Sequence, residues 1–207
     1  MRDVLICDFG GVLTTPLQEG FLAYQEESGV SLEALGTAMA RASEEHGDHP
    51  LFVLERGEIT EVEFRERIAR HLEDGFDLSR LRALYFERLE PNRPMIDFIR
   101  GLRGRGVRAA LLTNNVREWE PLWRAKLPEI DELFELVVDS AFVGLRKPDP
   151  AIFTLTLDRL GGVEPERCVF VDDLDVNCQT ARELGMAAVR FEDTDGAISA
   201  VEAALRG

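Results

Sequence analysis

The chain has 207 residues, of which 45% are hydrophobic and 30% are charged, and this composition is typical of a globular protein with a substantial buried core. Its 39 acidic and 24 basic residues give a formal net charge of -15, which argues against a nucleic-acid or anionic membrane surface as a partner. Local amides, a lysine or a metal ion can still bind a phosphate, so small anionic substrates are not excluded.

The apolar runs are too short to span a membrane, and the opening residues show no signal-peptide pattern. A cytoplasmic location is therefore expected. The cysteines Cys7, Cys168 and Cys178 form no CxxC pair and are odd in number, so neither a disulfide framework nor a zinc site is predicted. Cys7 and Cys168 are expected to pack as small hydrophobic side chains. The oligomeric state cannot be read from the sequence.

Residues 4–14 form an apolar run that contains one carboxylate, Asp8, followed by the glycines Gly10 and Gly11. The pattern predicts a buried parallel strand that breaks into a loop, and ligands bind at this edge of α/β sheets. The glycines allow the main chain to come close to a substrate or a metal ion. By itself, however, this stretch is equally compatible with a solvated aspartate in a loop.

The next seventy or so residues have helical periodicity. Helices are expected at 17–28, 32–45, 60–72 and 78–89, with a short apolar stretch at 51–55. Ser31 is a predicted N-cap, and Thr60 with Glu63 forms a predicted capping box. These segments predict a small helical bundle at residues 16–90 with no strand of its own.

From residue 94 onward, helices and strands alternate. Strands are expected at 107–112, 136–138, 167–171 and 187–191, and helices at 95–103, around Trp119 and Trp123, at 151–160 and at 178–184. This alternation predicts an α/β fold whose parallel sheet is covered by helices on both faces. The two tryptophans indicate either core packing, which is favoured, or a partner surface.

Polar side chains follow several of these strands at the point where each strand ends: Asp8, Thr113, Asn114, Lys147, Asp172 and Asp173. Because the ends of parallel strands share one edge of the sheet, we expect these side chains to converge on one cleft. A carboxylate nucleophile with a hydroxyl, amides, a lysine and further carboxylates suits phosphoryl transfer through an aspartyl-phosphate. Asp8 and Asp173 would also provide the oxygen ligands that magnesium prefers.

The order of these motifs resembles the haloacid dehalogenase (HAD) superfamily over nearly the whole chain. The helical insertion is similar to the type 1 cap of that superfamily, and residues 93–94, 112–114, 144–149 and 170–173 resemble the branch that contains sugar-phosphate phosphatases and the phosphatase domain of soluble epoxide hydrolases. Each motif alone is weakly specific, but four in order are strongly so. The resemblance implies a Rossmann-like α/β core from residues 1–15 and 91–207 and a helical cap from residues 16–90.

The resemblance also implies a role for each motif residue. Asp8 would be the nucleophile and a magnesium ligand, Gly10 would bind the metal through its backbone carbonyl, and Asp173 would complete the metal site. Thr113 and Asn114 would bind the transferring phosphoryl group.

Lys147 would offset the charge between nucleophile and phosphate, Gly11 would lie against the substrate, and Asp172 and Asn177 would support the metal ligands. The alternatives are that Thr113 only caps a helix, that Lys147 is a solvated charge, and that Asp172 is an N-cap.

One position departs from the family pattern. Phosphatases of this superfamily usually have a second aspartate, the general acid and base, two residues after the nucleophile, where this chain has Gly10. Activity would then be slow, limited to good leaving groups, or supported by another acid. His46, His49, Glu19 and Glu44 are candidates, and the sequence does not choose among them.

The leading hypothesis is therefore a magnesium-dependent phosphatase that acts on a small phosphorylated metabolite, with the cap excluding water and setting specificity. A second hypothesis is a 2-haloacid dehalogenase, since those relatives also lack the second aspartate, although they need no metal. A third is a HAD-like domain that binds a phosphate ligand or a protein partner without turnover.

Overall fold

The computed structural model describes residues 2–72 and 77–207. In these ranges the chain forms one sheet of five parallel strands. The strands are β1 (Val4–Cys7), β2 (Arg108–Thr113), β3 (Leu136–Asp139), β4 (Cys168–Asp172) and β5 (Ala187–Arg190). Their order across the sheet is β3-β2-β1-β4-β5, so β1 lies at the centre and the chain reverses its direction of progression there.

The helices of the first half are α1 (Leu17–Ser28), α2 (Leu32–His46), α3 (Pro50–Glu55), α4 (Glu61–Ala69) and α5 (Leu78–Arg88). Those of the second half are α6 (Arg93–Gly104), α7 (Glu120–Lys126), α8 (Ile130–Leu133), α9 (Ser140–Val143), α10 (Pro150–Arg159), α11 (Asp175–Glu183) and α12 (Thr194–Arg206). None of the described helices is long and apolar enough to cross a membrane.

Strand β1 is completely buried because it has a strand on either side and helices on both faces. Leu5 and Cys7 belong to a core cluster that includes buried residues of α6 and α12. Val4 and Ile6 point into a second cluster, to which α10 and α11 contribute. The predicted α/β architecture is confirmed, and Cys7, as expected, packs as a hydrophobic side chain.

The predicted cap segment, residues 16–90, is helical where the structure describes it, and its two expected N-terminal signals are confirmed. The Ser31 side chain accepts a hydrogen bond from the Ala34 amide at 3.1 Å, and Thr60 and Glu63 form the capping box. Helix α4 ends at Ala69, three residues before the predicted end at residue 72.

The two connections between this segment and the rest of the chain lie side by side. The Thr15 amide donates to the Glu90 carbonyl at 3.1 Å, and the Asn92 amide donates to the Leu13 carbonyl at 2.8 Å. The predicted borders at residues 16 and 90 fall beside these two crossings. The division into a core domain and a cap domain stays a prediction.

Two features differ from the sequence analysis or decide between its alternatives. Helix α12 was not predicted; it contacts β4, β5 and α6, and it buries Val201 and Leu205. Trp119 and Trp123 are 5% and 1% exposed, and the Trp123 ring packs 5.2 Å from that of Phe9, measured between centroids. Both rings therefore belong to the core, and the alternative of a partner surface is wrong.

Candidate active site

Asp8 is the first residue after the central strand. Its backbone amide donates to the Val171 carbonyl at 2.9 Å, which continues the pairing of β1 with β4 beyond the end of the strand. The residue is 8% exposed, so its carboxylate lies in a fixed and largely dry position. This placement fits a group that must meet a ligand without moving.

Lys147 is the main electrostatic partner of Asp8. Its Nζ lies 2.7 Å from Asp8 Oδ1 and 2.6 Å from Asp172 Oδ2, and the residue is only 1% exposed. The alternative of a solvated lysine is therefore wrong. Burial lowers the pKa of Lys147, but the two carboxylates outweigh it and raise the pKa above its usual value, so the side chain stays a cation.

The pKa of Asp8 is shifted in the opposite sense to that of a simple ion pair. Burial raises it, Lys147 lowers it, and the nearby negative charges of Asp172 and Asp173 raise it further, to about 7. A divalent cation at this position would favour the ionised carboxylate that a nucleophile needs.

Asn114 holds the segment that carries Lys147. Its Nδ2 donates to the Lys147 carbonyl at 2.9 Å, and its Oδ1 accepts from the Lys147 amide at 2.8 Å. The residue that follows β2 thereby fixes the main-chain position of Lys147 relative to the sheet. Sequence reasoning missed this role, because it joins residues from separate loops; substrate binding by Asn114 stays a prediction.

Asp172 is buried behind Lys147 with both carboxylate oxygens occupied. Oδ2 faces the Lys147 ammonium, while Oδ1 accepts from the Leu174 amide and from Asn177 Nδ2, each at 2.9 Å. Asn177 is 2% exposed and reaches the site through Asp172. Asp172 thus orients Lys147 and the start of the following helix.

Asp8, Asp172 and Asp173 can each offer one carboxylate oxygen, and these oxygens lie within 4.8 Å of one another. Three carboxylates and one ammonium sum to a charge of -2 when all are ionised, which a divalent cation would balance. Such hard oxygen donors fit magnesium. Since the oxygens of Asp172 already accept from the protein, Asp8 and Asp173 are the two that fit metal ligation best.

The two glycines after Asp8 have different surroundings. Gly11 has φ +79°, and a Cβ there would lie 2.7 Å from the Asp173 Cγ, so only glycine leaves this carboxylate its place. A Cβ on Gly10 would meet no heavy atom within 4 Å. Within the described ranges, no other side chain therefore occupies the place where the Cβ of the missing second aspartate would lie.

These residues border a polar cavity, which we call the catalytic chamber. The predicted site residues on its wall are Asp8, Gly10, Asn114, Lys147, Asp173 and Asn177. Gly11 and Asp172 lie directly behind this wall, in contact with Asp173 and Lys147 respectively. The sequence-predicted residues are thus brought together from four separate chain segments.

Thr113 has a different position. It ends β2, is 1% exposed and lines a second cavity, which lies between the helical insertion and the sheet and which we call the apolar compartment. The residues that give this compartment its character include Phe21, Leu51, Leu54, Phe64, Leu81 and Trp119. The compartment and the chamber share Gly10, Leu17, Glu55 and Asn114 as wall residues, so they meet beside the position of the missing aspartate.

Glu55 is a carboxylate on both walls that sequence reasoning missed. It ends α3, is 9% exposed, and its Oε2 accepts from Arg146 Nε at 2.7 Å. The available signal was a single carboxylate at the end of the apolar stretch 51–55. Among the described residues that form the two walls, none of the four expected substitute acids, His46, His49, Glu19 and Glu44, is present.

The chain is similar to several curated proteins. It is 29% identical to acyl-CoA dehydrogenase family member 10 of Mus musculus over 97% of this chain and 19% of that protein. It is 26% identical to bifunctional epoxide hydrolase 2 of Rattus norvegicus over 94% of this chain and 37% of the relative. The chain thus spans well under half the length of these relatives. A glyceraldehyde 3-phosphate phosphatase of Methanopyrus kandleri is 37% identical over 51% of this chain and 45% of its own length.

Solved structures share the fold. A protein of Porphyromonas gingivalis described as a predicted HAD-like family hydrolase superposes with a TM-score of 0.74 at 24% identity, covering 100% of this chain and 99% of that one. A HAD family enzyme of Bacteroides thetaiotaomicron, in complex with magnesium and inorganic phosphate, superposes with a TM-score of 0.69 at 23% identity over 92% and 94% of the two chains. The family model described as haloacid dehalogenase-like hydrolase matches residues 3–185. The resemblance read from the four motifs is therefore confirmed, and the chain belongs to the haloacid dehalogenase-like hydrolases.

Proposed function

We propose that the chain is a magnesium-dependent phosphatase that hydrolyses a small phosphate monoester through an aspartyl-phosphate on Asp8. The observation that carries this proposal is the fixed Asp8 carboxylate, paired with buried Lys147 at 2.7 Å and clustered with the carboxylate of Asp173 at the wall of one cavity. Membership in a hydrolase family and similarity to a phosphatase support it.

Each polar group has a distinct task in this reaction. Magnesium, held by Asp8, Asp173 and the Gly10 carbonyl, would supply positive charge that offsets the phosphate oxygens. Asp8 attacks phosphorus with one carboxylate oxygen, and Lys147 holds that carboxylate in line. Asn114 holds the main chain of Lys147 through its two hydrogen bonds, so that the ammonium stays beside Asp8.

The remaining predicted residues bind the substrate. In this proposal Asn114 and Gly11 border the transferring phosphoryl group on the side of the chamber, and Thr113 borders it on the side of the apolar compartment. The insertion over the site limits the access of water to the aspartyl-phosphate. The three cysteines are free thiols, which fits the reducing compartment expected of a cytoplasmic enzyme.

The apolar compartment supports a substrate class. It meets the catalytic chamber beside Gly10, and its wall is built mostly of leucine and aromatic side chains. In this proposal the organic group of an ester held against Asp8 enters the compartment. Burying an apolar group there is favourable, whereas a hydroxyl without a partner is costly. The proposed substrate is therefore a phosphate monoester of an apolar or aromatic alcohol.

The test is phosphate release from p-nitrophenyl phosphate, with and without magnesium, by the wild type, by Asp8→Asn and by the matched exposed variant Asp158→Asn. We expect activity that needs magnesium, disappears in Asp8→Asn and is retained in Asp158→Asn. Activity that survives in Asp8→Asn would contradict the nucleophile assignment. Chloride release from 2-chloropropionate in EDTA would instead favour the dehalogenase, and thermal stabilisation by magnesium and phosphate without turnover would favour the non-catalytic domain.

A further inference from the structure

The phosphoryl-transfer step leaves one chemical requirement unmet. When the bond between phosphorus and the ester oxygen breaks, that oxygen departs with the electron pair and, in an alkyl ester, is a strong base that needs a proton. Gly10 has no side chain to supply the proton, and no heavy atom of the described residues lies within 4 Å of where its Cβ would be. The donor must therefore come from another part of the wall.

The described wall of the catalytic chamber offers few proton donors. Its carboxyl groups are Asp8, Asp173 and Glu55. Asp8 is the proposed nucleophile and Asp173 the proposed metal ligand. Lys147 is held as a cation by two carboxylates, and the guanidinium of Arg146 does not deprotonate in proteins.

Of the three carboxyl groups on this wall, Glu55 remains, and it lies where the catalytic chamber meets the apolar compartment. It lines both the catalytic chamber and the apolar compartment, as does Gly10. A substrate with its phosphoryl group in the chamber and its organic group in the compartment would place its ester oxygen at this junction. We propose that Glu55 is the general acid of this site and takes the role of the aspartate that is absent at Gly10.

The cap residue Glu55 is held firmly against the core. Its backbone carbonyl accepts from Ser140 Oγ at 2.5 Å, and its carboxylate accepts from Arg146 Nε at 2.7 Å. Two residues on, Gly57 has φ +68°, and a Cβ there would overlap the Ala141 carbonyl oxygen. The end of α3 is thus seated on the core, which gives Glu55 the fixed position that proton transfer requires.

The surroundings of Glu55 also raise the pKa of its carboxyl above the usual value. Burial raises the pKa of the carboxyl, while the charges of Arg146 and, more weakly, Lys147 lower it, and burial outweighs them. Burial and the charge of Arg146 lower the pKa of His49, so His49 adds little positive charge near neutral pH. Glu55 therefore holds a proton at a higher pH than an exposed glutamate does.

The proton balance closes over the two steps. Asp8 forms a bond to phosphorus as the bond to the ester oxygen breaks, and the departing oxygen takes the Glu55 proton to leave as the alcohol. A water molecule then attacks phosphorus, the bond to Asp8 breaks, and Glu55 accepts the proton that the water releases. Inorganic phosphate leaves, and both carboxyl groups return to their starting states.

This inference rests on the proposed function, and two substrates with different leaving groups allow the two proposals to be tested separately. The leaving group of p-nitrophenyl phosphate needs little protonation, whereas 2-phenylethyl phosphate, of similar size, releases a basic alkoxide. We expect Glu55→Gln to lower kcat/KM for 2-phenylethyl phosphate by about 10²- to 10⁴-fold and to leave kcat/KM for p-nitrophenyl phosphate nearly unchanged. The matched control Glu66→Gln, an exposed cap glutamate, should change neither.

Two further measurements distinguish the loss of a general acid from a structural defect of the Glu55→Gln variant. The second step also uses Glu55, so Glu55→Gln should release p-nitrophenolate in a burst as the aspartyl-phosphate accumulates. Adding Gly10→Asp to Glu55→Gln should restore about tenfold or more of the lost activity on 2-phenylethyl phosphate, because the space beside Gly10 admits a side chain.

Equal losses on both substrates, or no loss on the alkyl ester, would overturn the assignment of Glu55. If Glu55→Gln does not fold, the kcat/KM of the wild type is measured on a series of aryl phosphates whose phenols differ in basicity. A kcat/KM that falls steeply as the leaving phenol becomes more basic would show that no general acid acts and would contradict the assignment. A wild type that hydrolyses none of these esters would contradict the proposed function itself.

Discussion

The side-chain amide of Asn114 makes two hydrogen bonds to the main chain of Lys147, at 2.8 and 2.9 Å, and so ties the end of β2 to the segment that carries the buried lysine. Asn114→Ala removes both bonds, so the Lys147 ammonium should drift from Asp8. A displacement of about 1 Å can cost roughly 10²-fold in rate, and we expect a loss of kcat of that order on p-nitrophenyl phosphate. Unchanged kcat in Asn114→Ala would show that Lys147 is positioned without it.

The adjacent glycines give a matched pair of variants. Gly11→Ala forces a left-handed backbone on alanine, which costs about 1–3 kcal/mol, and pushes its Cβ into the Asp173 carboxylate. It should lower the thermal stability and raise the magnesium concentration needed for half-maximal activity. Gly10→Ala meets no neighbour and should retain the wild-type melting temperature. Equal melting temperatures for the two variants would contradict this account of Gly11.

The apolar compartment predicts an order of substrates. Phenyl and 2-phenylethyl phosphates should be hydrolysed with kcat/KM at least about tenfold above that of glycerol 3-phosphate, since burying apolar area is favourable and an unpaired hydroxyl is not. Leu81→Asn, on the compartment wall, should narrow this ratio mainly by raising KM for the aromatic esters. A preference for the polyol ester in the wild type would show that the compartment does not receive the organic group.

Asp139 predicts a pH dependence of stability. Its Oδ1 accepts from the Ala141 amide at 3.0 Å, whereas its buried Oδ2 has no hydrogen-bond partner among the described residues. Burial raises the pKa of this carboxyl to about 6. The folded state therefore binds this proton more tightly than the unfolded state, so the contribution of Asp139 to stability is greatest below about pH 4 and falls as the pH rises through 6.

The test compares Asp139→Asn with the wild type by urea unfolding at several pH values. The amide oxygen keeps the helix cap and carries no charge, so the variant should be more stable than the wild type at pH 7.5, by about 2–3 kcal/mol, and should lose this advantage near pH 4. Asp149→Asn is the matched control, since exposed Asp149 caps α10 through the same kind of bond, to the Ala151 amide. A pH-independent difference between Asp139→Asn and the wild type would contradict the raised pKa.

The features that the sequence predicted well depend on neighbouring residues. The capping box of Thr60 and Glu63 and the placement of Asp8 and Asp173 after buried strands follow from local patterns of apolar and polar residues. Parallel strands then place their ends at one edge of the sheet, so the convergence of the motif residues was predictable as well.

The features that it missed depend on contacts between distant segments. Nothing near Glu55 in the sequence shows that α3 seats it between Arg146 and the two cavities. The double hydrogen bond from Asn114 to Lys147 likewise joins residues 33 positions apart. Helix α12 is an exception, because its N-cap at Asp193 and its buried apolar face, which includes Val201, are local signals from which the helix was predictable.

The most direct test of the account is to trap the phosphorylated enzyme. The protein is mixed with magnesium and a phosphate ester labelled on phosphorus, quenched in acid within the first turnover, and digested so that the labelled peptide can be sequenced by mass spectrometry. The account predicts label on Asp8, in an amount that falls as turnover completes, and no label in Asp8→Asn. Release of labelled phosphate by the wild type without any label on Asp8 at any time point would contradict it.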